Sequence, residues 1–186
     1  MGKEQNSFYY DTMFSRSQHY KKKWNEMNNW TTIWEKTIPI ILQNNIKSIL
    51  DIGSGMGQFG QLCSINGISY KGIDFSKYAV DYSYKHSLGS EIFECVDAYN
   101  YHYKDEVDCY ITHEFLEHVE FDTQILSKLK PNKLIIFSVP SFNDPGHVRL
   151  FKTTEDVITR YSPYINNLKV EAVTKAVHYL GWGITK

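Results

Sequence analysis

The sequence is poor in cysteine, in long apolar runs and in excess charge of either sign. Its three cysteines, Cys63, Cys95 and Cys109, show no C-x-x-C spacing, which predicts free, buried thiols rather than disulfides or zinc ligands. No apolar run approaches the roughly eighteen residues of a membrane helix, and the N-terminus lacks the apolar core of a signal peptide. The net charge of −1 lacks the basic excess typical of proteins that bind long nucleic acids. These absences predict a cytoplasmic protein with neither a membrane nor DNA as a partner.

What remains is the composition of a globular protein, with 42% hydrophobic and 22% charged residues over 186 positions. Strand-like and helix-like segments alternate along most of the chain. Predicted strands cover 47–52, 68–73, 91–96, 107–112 and 133–138, and predicted helices cover 57–66, 76–86, 114–129 and 153–161. This alternation predicts an α/β fold of the Rossmann-like, three-layer type, in which helices cover both faces of a mostly parallel sheet.

The two ends of the chain differ from this pattern. Residues 168–185 alternate as two strands without a long helix between them, which predicts one antiparallel strand at the end of the sheet. Residues 30–43 have helical apolar spacing, and Pro39 predicts a kink or a break there. We expect one domain over 1–186, in which 45–186 form the core and 1–44 form a helix and an aromatic lid. The alternative for these aromatic residues is plain core packing.

The most informative segment, residues 49–60, reads Ile-Leu-Asp-Ile-Gly-Ser-Gly-Met-Gly-Gln-Phe-Gly. An apolar strand runs directly into Gly53, Gly55 and Gly57, which permit positive φ and let a ligand approach the backbone. The helix that follows offers N–H groups at its N-terminus. The segment therefore predicts a nucleotide-type binding loop. It also fits G-x-G-x-x-G when Gly60 is included, so a dinucleotide site is an alternative.

Acidic residues follow the next two predicted strands. Asp74 is placed to accept hydrogen bonds from ribose hydroxyls, and Phe75 beside it to pack on an adenine face. Alternatively, Asp74 or Ser76 caps the next helix. Asp97 is placed to accept the exocyclic amine of adenine while the backbone N–H of Ala98 reaches a ring nitrogen. The alternative for Asp97 is a local turn.

The fourth strand runs into Glu-Phe-Leu-Glu-His-Val at 114–119. Three further segments are Gly-Ile-Asp-Phe-Ser at 72–76, Val-Asp-Ala at 96–98 and Leu-Lys-Pro-Asn-Lys-Leu-Ile-Ile-Phe-Ser-Val-Pro-Ser at 129–141. With the glycine loop, these segments resemble the class I S-adenosylmethionine-dependent methyltransferases, among them the ubiquinone-biosynthesis O-methyltransferases. The resemblance spans about residues 47–150, in the family's order.

This resemblance implies a seven-stranded sheet with its last strand antiparallel, and S-adenosylmethionine as cofactor. It implies that the glycine loop contacts the methionine part, that Asp51 supports the loop, and that His113 flanks the methyl-transfer crevice. The cofactor-binding residues so expected are Asp51, Gly53, Ser54, Gly55, Gly57, Gln58, Asp74, Phe75, Asp97, Ala98 and His113. A dinucleotide site fits less well, because its fingerprint has no acid two residues before the first glycine.

Glu114, Glu117 and His118 share one face of the predicted helix, and His147 could join them to hold a divalent cation. The pattern is similar to the metal site of methyltransferases that act on the 2′-hydroxyl at small-RNA 3′ ends. The alternative is a plain helix start with glutamates near its positive end. His113, Glu114, His118 and His147 are the candidates for a catalytic base.

The expected function is methyl transfer to an oxygen or nitrogen of a small-molecule acceptor, by a monomer or a homodimer. A metal-assisted RNA 3′-end methyltransferase is an alternative, although RNA is disfavoured by the net charge. The other alternative is a cofactor-binding module that regulates a partner protein and catalyses no reaction.

Overall fold

A computed structural model describes residues 2–104 and 106–186. The described helices are α1 (Ser7–Arg16), α2 (Asn29–Gln43), α3 (Gln58–Ile65), α4 (Lys77–His86), α5 (Asp122–Lys128) and α6 (Thr154–Tyr161), with short 3-10 turns at His19–Lys21, Trp24–Glu26 and Thr174–Ala176. The strands are β1 (Ser48–Ile52), β2 (Ser69–Asp74), β3 (Ile92–Cys95), β4 (Cys109–His113), β5 (Leu134–Pro140), β6 (Ile165–Val173) and β7 (His178–Thr185).

The seven strands form one sheet in the order β3-β2-β1-β4-β5-β7-β6. The first five run parallel, and β7 pairs antiparallel with both β5 and β6. The predicted Rossmann-like fold with its last strand antiparallel is therefore confirmed. Strand order reverses between β1 and β4, and ligands of such sheets bind beyond the carboxyl ends of the strands near that point.

Two buried clusters cover the two faces of the sheet. Successive residues of a strand point to opposite faces, so Ile49 packs with α2 and α3 while Leu50 packs with α5 and α6. Burying a side chain of this size contributes about 1.5–3 kcal/mol. The helices are thus fixed on the sheet, and the strand ends that carry the polar residues are held in register.

The predicted helix at 114–129 is wrong over its first half. Residues 114–121 form turns, and the helix begins only at Asp122. Glu114 has φ +50°, which no α-helix accommodates. The guanidinium of Arg149 donates hydrogen bonds to the carbonyls of Leu116 and Glu120, replacing the bonds a helix would supply. Glu114, Glu117 and His118 therefore do not share a helix face.

Three smaller predictions concern Pro39, the cysteines and membrane-spanning helices. Helix α2 continues through Pro39 without a break, since Ile38 and Ile41 on either side are buried against the sheet. The three cysteines are free, but only Cys63 and Cys109 are buried; Cys95 ends the edge strand β3 and is exposed. Among the described helices, none has the length and apolarity to cross a membrane.

Candidate active site

A cavity of about 310 Å³ lies at the carboxyl ends of the parallel strands. Its wall combines the strand-end loops with the N-terminal segment, including Tyr10, Trp30 and Trp34. All the site residues expected from the sequence line this cavity except Asp51 and Gly57. The topology therefore brings the predicted residues together.

The two exceptions lie beneath the glycine loop. Asp51 is buried and accepts a hydrogen bond of 2.7 Å from the Tyr70 hydroxyl. Burial raises the pKa of Asp51 to about 7, and the bond from Tyr70 opposes that rise. At Gly57, where φ is +80°, a Cβ would lie 2.8 Å from Ser83 Oγ and 2.9 Å from Phe93 Cζ. Glycine is required there by packing.

The loop is held by its own backbone. The N–H groups of Gly53 and Ser54 donate to the Ile73 carbonyl at 2.9 and 3.0 Å, and that of Gly55 donates to Asp74 Oδ2 at 2.9 Å. A Cβ on Gly53 would collide with the Phe115 ring at 2.4 Å, whereas one on Gly55 would meet only Phe14, at 3.8 Å. Gly55 thus leaves its backbone open to the cavity.

Asp74 ends β2 with both carboxylate oxygens engaged. Oδ2 accepts from Gly55 and Oδ1 from the N–H of Ser76 at 2.8 Å. The helix α4 is capped by Ser76, whose hydroxyl accepts from the N–H of Ala79. Burial raises the pKa of Asp74 to about 6 against these bonds. Each oxygen retains a second lone pair for a ligand.

Asp97 follows β3 and forms a local turn, in which Oδ1 accepts from the N–H of Tyr99 at 2.8 Å. The carbonyl of Ala98 accepts from the Tyr103 hydroxyl at 2.9 Å. Both residues still face the cavity, as does Phe75, whose ring lies 5.4 Å from that of Tyr10. The turn thus fixes the backbone without closing the site.

His113 ends β4 with its ring next to Thr37 and Phe59. Its Nε2 lies 3.2 Å from the hydroxyl of Thr37, which itself donates to the Ile33 carbonyl, so Nε2 carries the proton. Its Nδ1 has no hydrogen-bond partner within the described residues. Burial lowers the pKa of His113 to about 3, so the imidazole is neutral with a free lone pair.

Glu114 turns away from Glu117 and His118. Its Oε1 accepts from the Ser138 hydroxyl at 2.7 Å, and its Oε2 lies 3.5 Å from His178 Nε2. Burial raises the pKa of Glu114 to about 7. Neither His178 nor Ser138 was among the residues expected at the site, because both lie within ordinary strand alternation and only the pairing of β5 with β7 brings them together.

Glu117, His118 and His147 form the remaining polar cluster, with ligand atoms that all lie within 4.8 Å of one another. The Glu117 side chain is fully buried, and neither of its oxygens has a hydrogen-bond partner in the described part of the chain. Burial, together with the charge of Glu114, raises the pKa of Glu117 well above its usual range. Of the four residues expected to hold a cation, three meet and Glu114 does not.

The two histidines of this cluster have defined tautomers. Nδ1 of His118 lies 3.1 Å from the Gly146 carbonyl, and Nδ1 of His147 lies 3.0 Å from the Phe142 carbonyl. Because a carbonyl only accepts, each Nδ1 carries the proton and each Nε2 is an acceptor. Burial lowers the pKa of His118 to about 4, so it is neutral at pH 7. When Glu117 is ionised, the cluster therefore presents acceptors only, whereas its raised pKa favours the protonated form in the free protein and a bound cation would favour the ionised form.

The N-terminal segment crosses the cavity and forms hydrogen bonds to residues on both sides of it. The N–H of Gly2 donates to the His147 carbonyl at 2.9 Å, and Asp11 Oδ1 accepts from the Ser76 hydroxyl at 2.6 Å. Between them, the Tyr10 ring stands edge-on to His118 with 5.8 Å between centroids. The Tyr10 hydroxyl is buried without a hydrogen-bond partner in residues 2–104 and 106–186.

The carboxyl groups that line the cavity have no lysine or arginine beside them in the lining formed by the described residues. Six acidic residues line it within the described chain: Glu4, Asp74, Asp97, Glu114, Glu117 and Asp144. No lysine or arginine of the described residues does. Within the described residues, an anionic ligand group would therefore be held by backbone N–H groups or by neutral side-chain donors such as Ser54 and Gln58.

Known proteins give this geometry a context. A family model described as a methyltransferase domain matches residues 50–134. No curated protein matches the sequence. Among solved structures, the N-methyltransferase NodS from Bradyrhizobium japonicum WM9, in complex with S-adenosylhomocysteine, is similar with a TM-score of 0.73 and 14% identity, over 97% of this chain and 99% of that chain.

Two further structures in complex with S-adenosylhomocysteine have the same fold. The plantazolicin methyltransferase BpumL has a TM-score of 0.69 and 15% identity, over 97% of this chain and 95% of that chain. The magnesium protoporphyrin IX methyltransferase from Synechocystis PCC 6803 has a TM-score of 0.68 and 12% identity, over 96% of both chains. Residues 50–134 thus match a methyltransferase domain, and the chain has the fold of the class I S-adenosylmethionine-dependent methyltransferases.

Proposed function

We propose that the protein transfers a methyl group from S-adenosylmethionine to an oxygen or nitrogen of a small-molecule acceptor. The observation that carries this proposal is one cavity with two chemically different ends. The ends of β1, β2 and β3 supply the glycine loop and the carboxylates, while those of β4 and β5 supply glutamates and histidines. A volume of about 310 Å³ suits small ligands.

The roles of the cofactor-binding residues follow from this division. Gly53 to Gly57 hold the methionine part, where the open approach at Gly55 admits the ligand. Asp74 accepts the ribose hydroxyls through its remaining lone pairs. Asp97 and Ala98, with Phe75, hold the adenine. Further roles fall to Ser54 and Gln58, which line the cavity beside the loop, and to Asp51 and Gly57, which support the loop from beneath.

The cofactor supplies a methyl group bonded to a sulfonium, and the residues supply alignment for an in-line displacement. A hydroxyl or amine acceptor also loses a proton. His113, Glu114, His118 and His147 line the cavity as candidate bases. Burial raises the pKa of Glu114 to about 7, which suits proton removal near neutral pH, whereas burial lowers the pKa of His113 to about 3 and that of His118 to about 4, which makes these two weaker bases.

The test is methyl transfer itself. The purified protein is incubated with methyl-labelled S-adenosylmethionine and a small-molecule fraction of cell extract, and products are separated by mass. We expect a labelled product below the size of a peptide, absent with Asp74→Ala. Saturable S-adenosylhomocysteine binding without any labelled product would instead support a regulatory module.

A second candidate is a metal-assisted 2′-O-methyltransferase that acts on RNA 3′ ends. The cluster of Glu117, His118 and His147 favours it, since both imidazoles are fixed by backbone carbonyls as metal-bound histidines commonly are. The cavity lining argues against it, because no described lysine or arginine is present for RNA phosphates. Manganese-dependent methylation of an RNA oligonucleotide, lost in a Glu117→Ala/His118→Ala variant, would establish it.

A further inference from the structure

We propose that the methyl acceptor is a primary amine, bound as its ammonium ion by Glu117, His118 and His147. This inference rests on the proposed function and specifies its substrate class. The cluster presents one carboxylate and two imidazole nitrogens into the cavity beside the cofactor end, and all three are hydrogen-bond acceptors. A protonated primary amine carries three N–H donors and a positive charge, so it satisfies the three groups together.

The unpaired state of Glu117 indicates that a cation belongs there. Both of its oxygens are buried without a hydrogen bond from any described residue, and the nearest cluster atom, His118 Nε2, lies 3.6 Å from Oε1. Buried carboxylates in proteins are normally paired or bound to a metal. Arg149 is near enough to act on the charge of Glu117, but its guanidinium donates to the carbonyls of Leu116 and Glu120 and does not line the cavity. A cation that reaches Glu117 from the cavity therefore comes from a ligand.

Aromatic rings surround the cluster. Tyr10 stands edge-on to His118 at 5.8 Å between centroids, and Phe142 lies 5.5 Å from His147. Trp30 and Trp34 line the same cavity. Aromatic faces attract cations and accommodate an apolar body. The preferred acceptor is thus an amine with an aromatic or apolar remainder and no phosphate or carboxylate.

The transfer step is balanced with these residues alone. The ammonium first gives one N–H proton to the Glu117 carboxylate, which leaves a lone pair on nitrogen. That lone pair attacks the sulfonium methyl, an N–C bond forms, and the C–S bond breaks with its electron pair going to sulfur. The products are S-adenosylhomocysteine, a methylated ammonium ion and a protonated Glu117, which then releases its proton to solvent.

The test is calorimetric titration of the S-adenosylhomocysteine complex with three matched probes: phenethylamine, phenethyl alcohol and phenylacetate. We expect the amine to bind at least about tenfold tighter than the alcohol, as for a hydrogen bond to a charged group, and the acid not to bind. Glu117→Gln, which keeps the side-chain shape, should weaken binding of the amine at least about tenfold and leave the affinity for the alcohol unchanged. Glu120→Gln, an exposed glutamate three residues away, is the control and should change neither.

S-adenosylhomocysteine affinity, measured on each variant, shows that the site is folded. Failure of the wild-type protein to bind S-adenosylhomocysteine would contradict the proposed function. Normal S-adenosylhomocysteine binding with equal affinity for amine and alcohol, or with no binding of any probe, would overturn this inference alone. So would stabilisation of the wild-type protein by manganese alone, lost in Glu117→Gln, in the absence of an amine preference.

Discussion

The two ends of the cavity differ in how their carboxylates are satisfied. At the ends of β1, β2 and β3, Asp51, Asp74 and Asp97 each accept a hydrogen bond from a hydroxyl or backbone N–H. Beyond β4, Glu117 is fully buried, and neither of its oxygens accepts a hydrogen bond from any described residue. The carboxylates of the first end are thus paired without a ligand, whereas that of Glu117 lacks a hydrogen-bond partner.

This difference reflects what each end binds. The cofactor end holds one fixed molecule, so its groups are preorganised by the fold and cost little to order on binding. The acceptor end keeps a buried polar group unpaired, which costs about 1–3 kcal/mol in the free protein. That cost is recovered only when the acceptor supplies the missing partner, which couples binding at this end to the identity of the ligand.

The largest effect is expected at the base of the glycine loop. Gly57→Ala should lower the free energy of unfolding by about 3 kcal/mol, because the new Cβ collides with Ser83 and Phe93 as well as adopting positive φ. Gly67→Ala is the matched control, since Gly67 has φ +70° with nothing within 4 Å. Urea denaturation measures both variants. Equal losses would show that backbone strain alone, not packing, requires the glycine.

Asp74→Ala tests the cofactor end directly. It should weaken S-adenosylhomocysteine binding at least tenfold, on the order of the 1.5–3 kcal/mol of hydrogen bonds to a charged group. Asp81→Ala, which removes an exposed carboxylate paired with Lys77, should leave the affinity unchanged. Calorimetry gives both values. An unchanged affinity in Asp74→Ala would remove this residue from the site.

The pH dependence of cofactor binding should follow Asp74. Its pKa is about 6 because burial raises it, and ribose hydroxyls donate to the ionised form. The affinity for S-adenosylhomocysteine should therefore be constant above pH 7 and fall as the pH drops through 6, when the carboxylate becomes protonated. Asp74→Asn should flatten this profile. A wild-type profile that is itself flat between pH 5 and 8 would contradict the assignment.

The smallest effect is expected at the acceptor end. Glu117→Gln should change S-adenosylhomocysteine affinity by less than about twofold, since Glu117 is not among the residues proposed to hold the cofactor and the amide costs no more than the carboxylate to bury. Calorimetry on the same preparation as Asp74→Ala makes the comparison direct. A loss as large as that of Asp74→Ala would abolish the distinction between the two ends.

The sequence predicted the cofactor end well, because glycines and acids there follow strands at fixed positions. The sheet type and the placement of Asp74, Asp97 and Ala98 in one cavity all follow from strand–helix alternation. The roles of these residues remain predictions. The local pattern left the cap of α4 open between Asp74 and Ser76, and the structure shows that Ser76 is the cap.

The acceptor end was predicted less well, because long-range contacts decide it. The helix predicted over 114–129 rested on local apolar spacing, which carries no information about Arg149. The Arg149 side chain, more than twenty residues away, donates hydrogen bonds to the carbonyls of Leu116 and Glu120 in place of helical hydrogen bonds. Nothing local indicates that His178 faces Glu114 either, since that contact depends on the pairing of β5 with β7. Propensity describes neighbours in sequence, and this end is built from neighbours in space.

The most direct test of the central claim is calorimetric titration of the wild-type protein with S-adenosylhomocysteine and, separately, with NAD. We expect saturable binding of S-adenosylhomocysteine at one site per chain and none of NAD. Saturable binding of NAD without S-adenosylhomocysteine binding would contradict the account, and would mean that the glycine loop serves a dinucleotide.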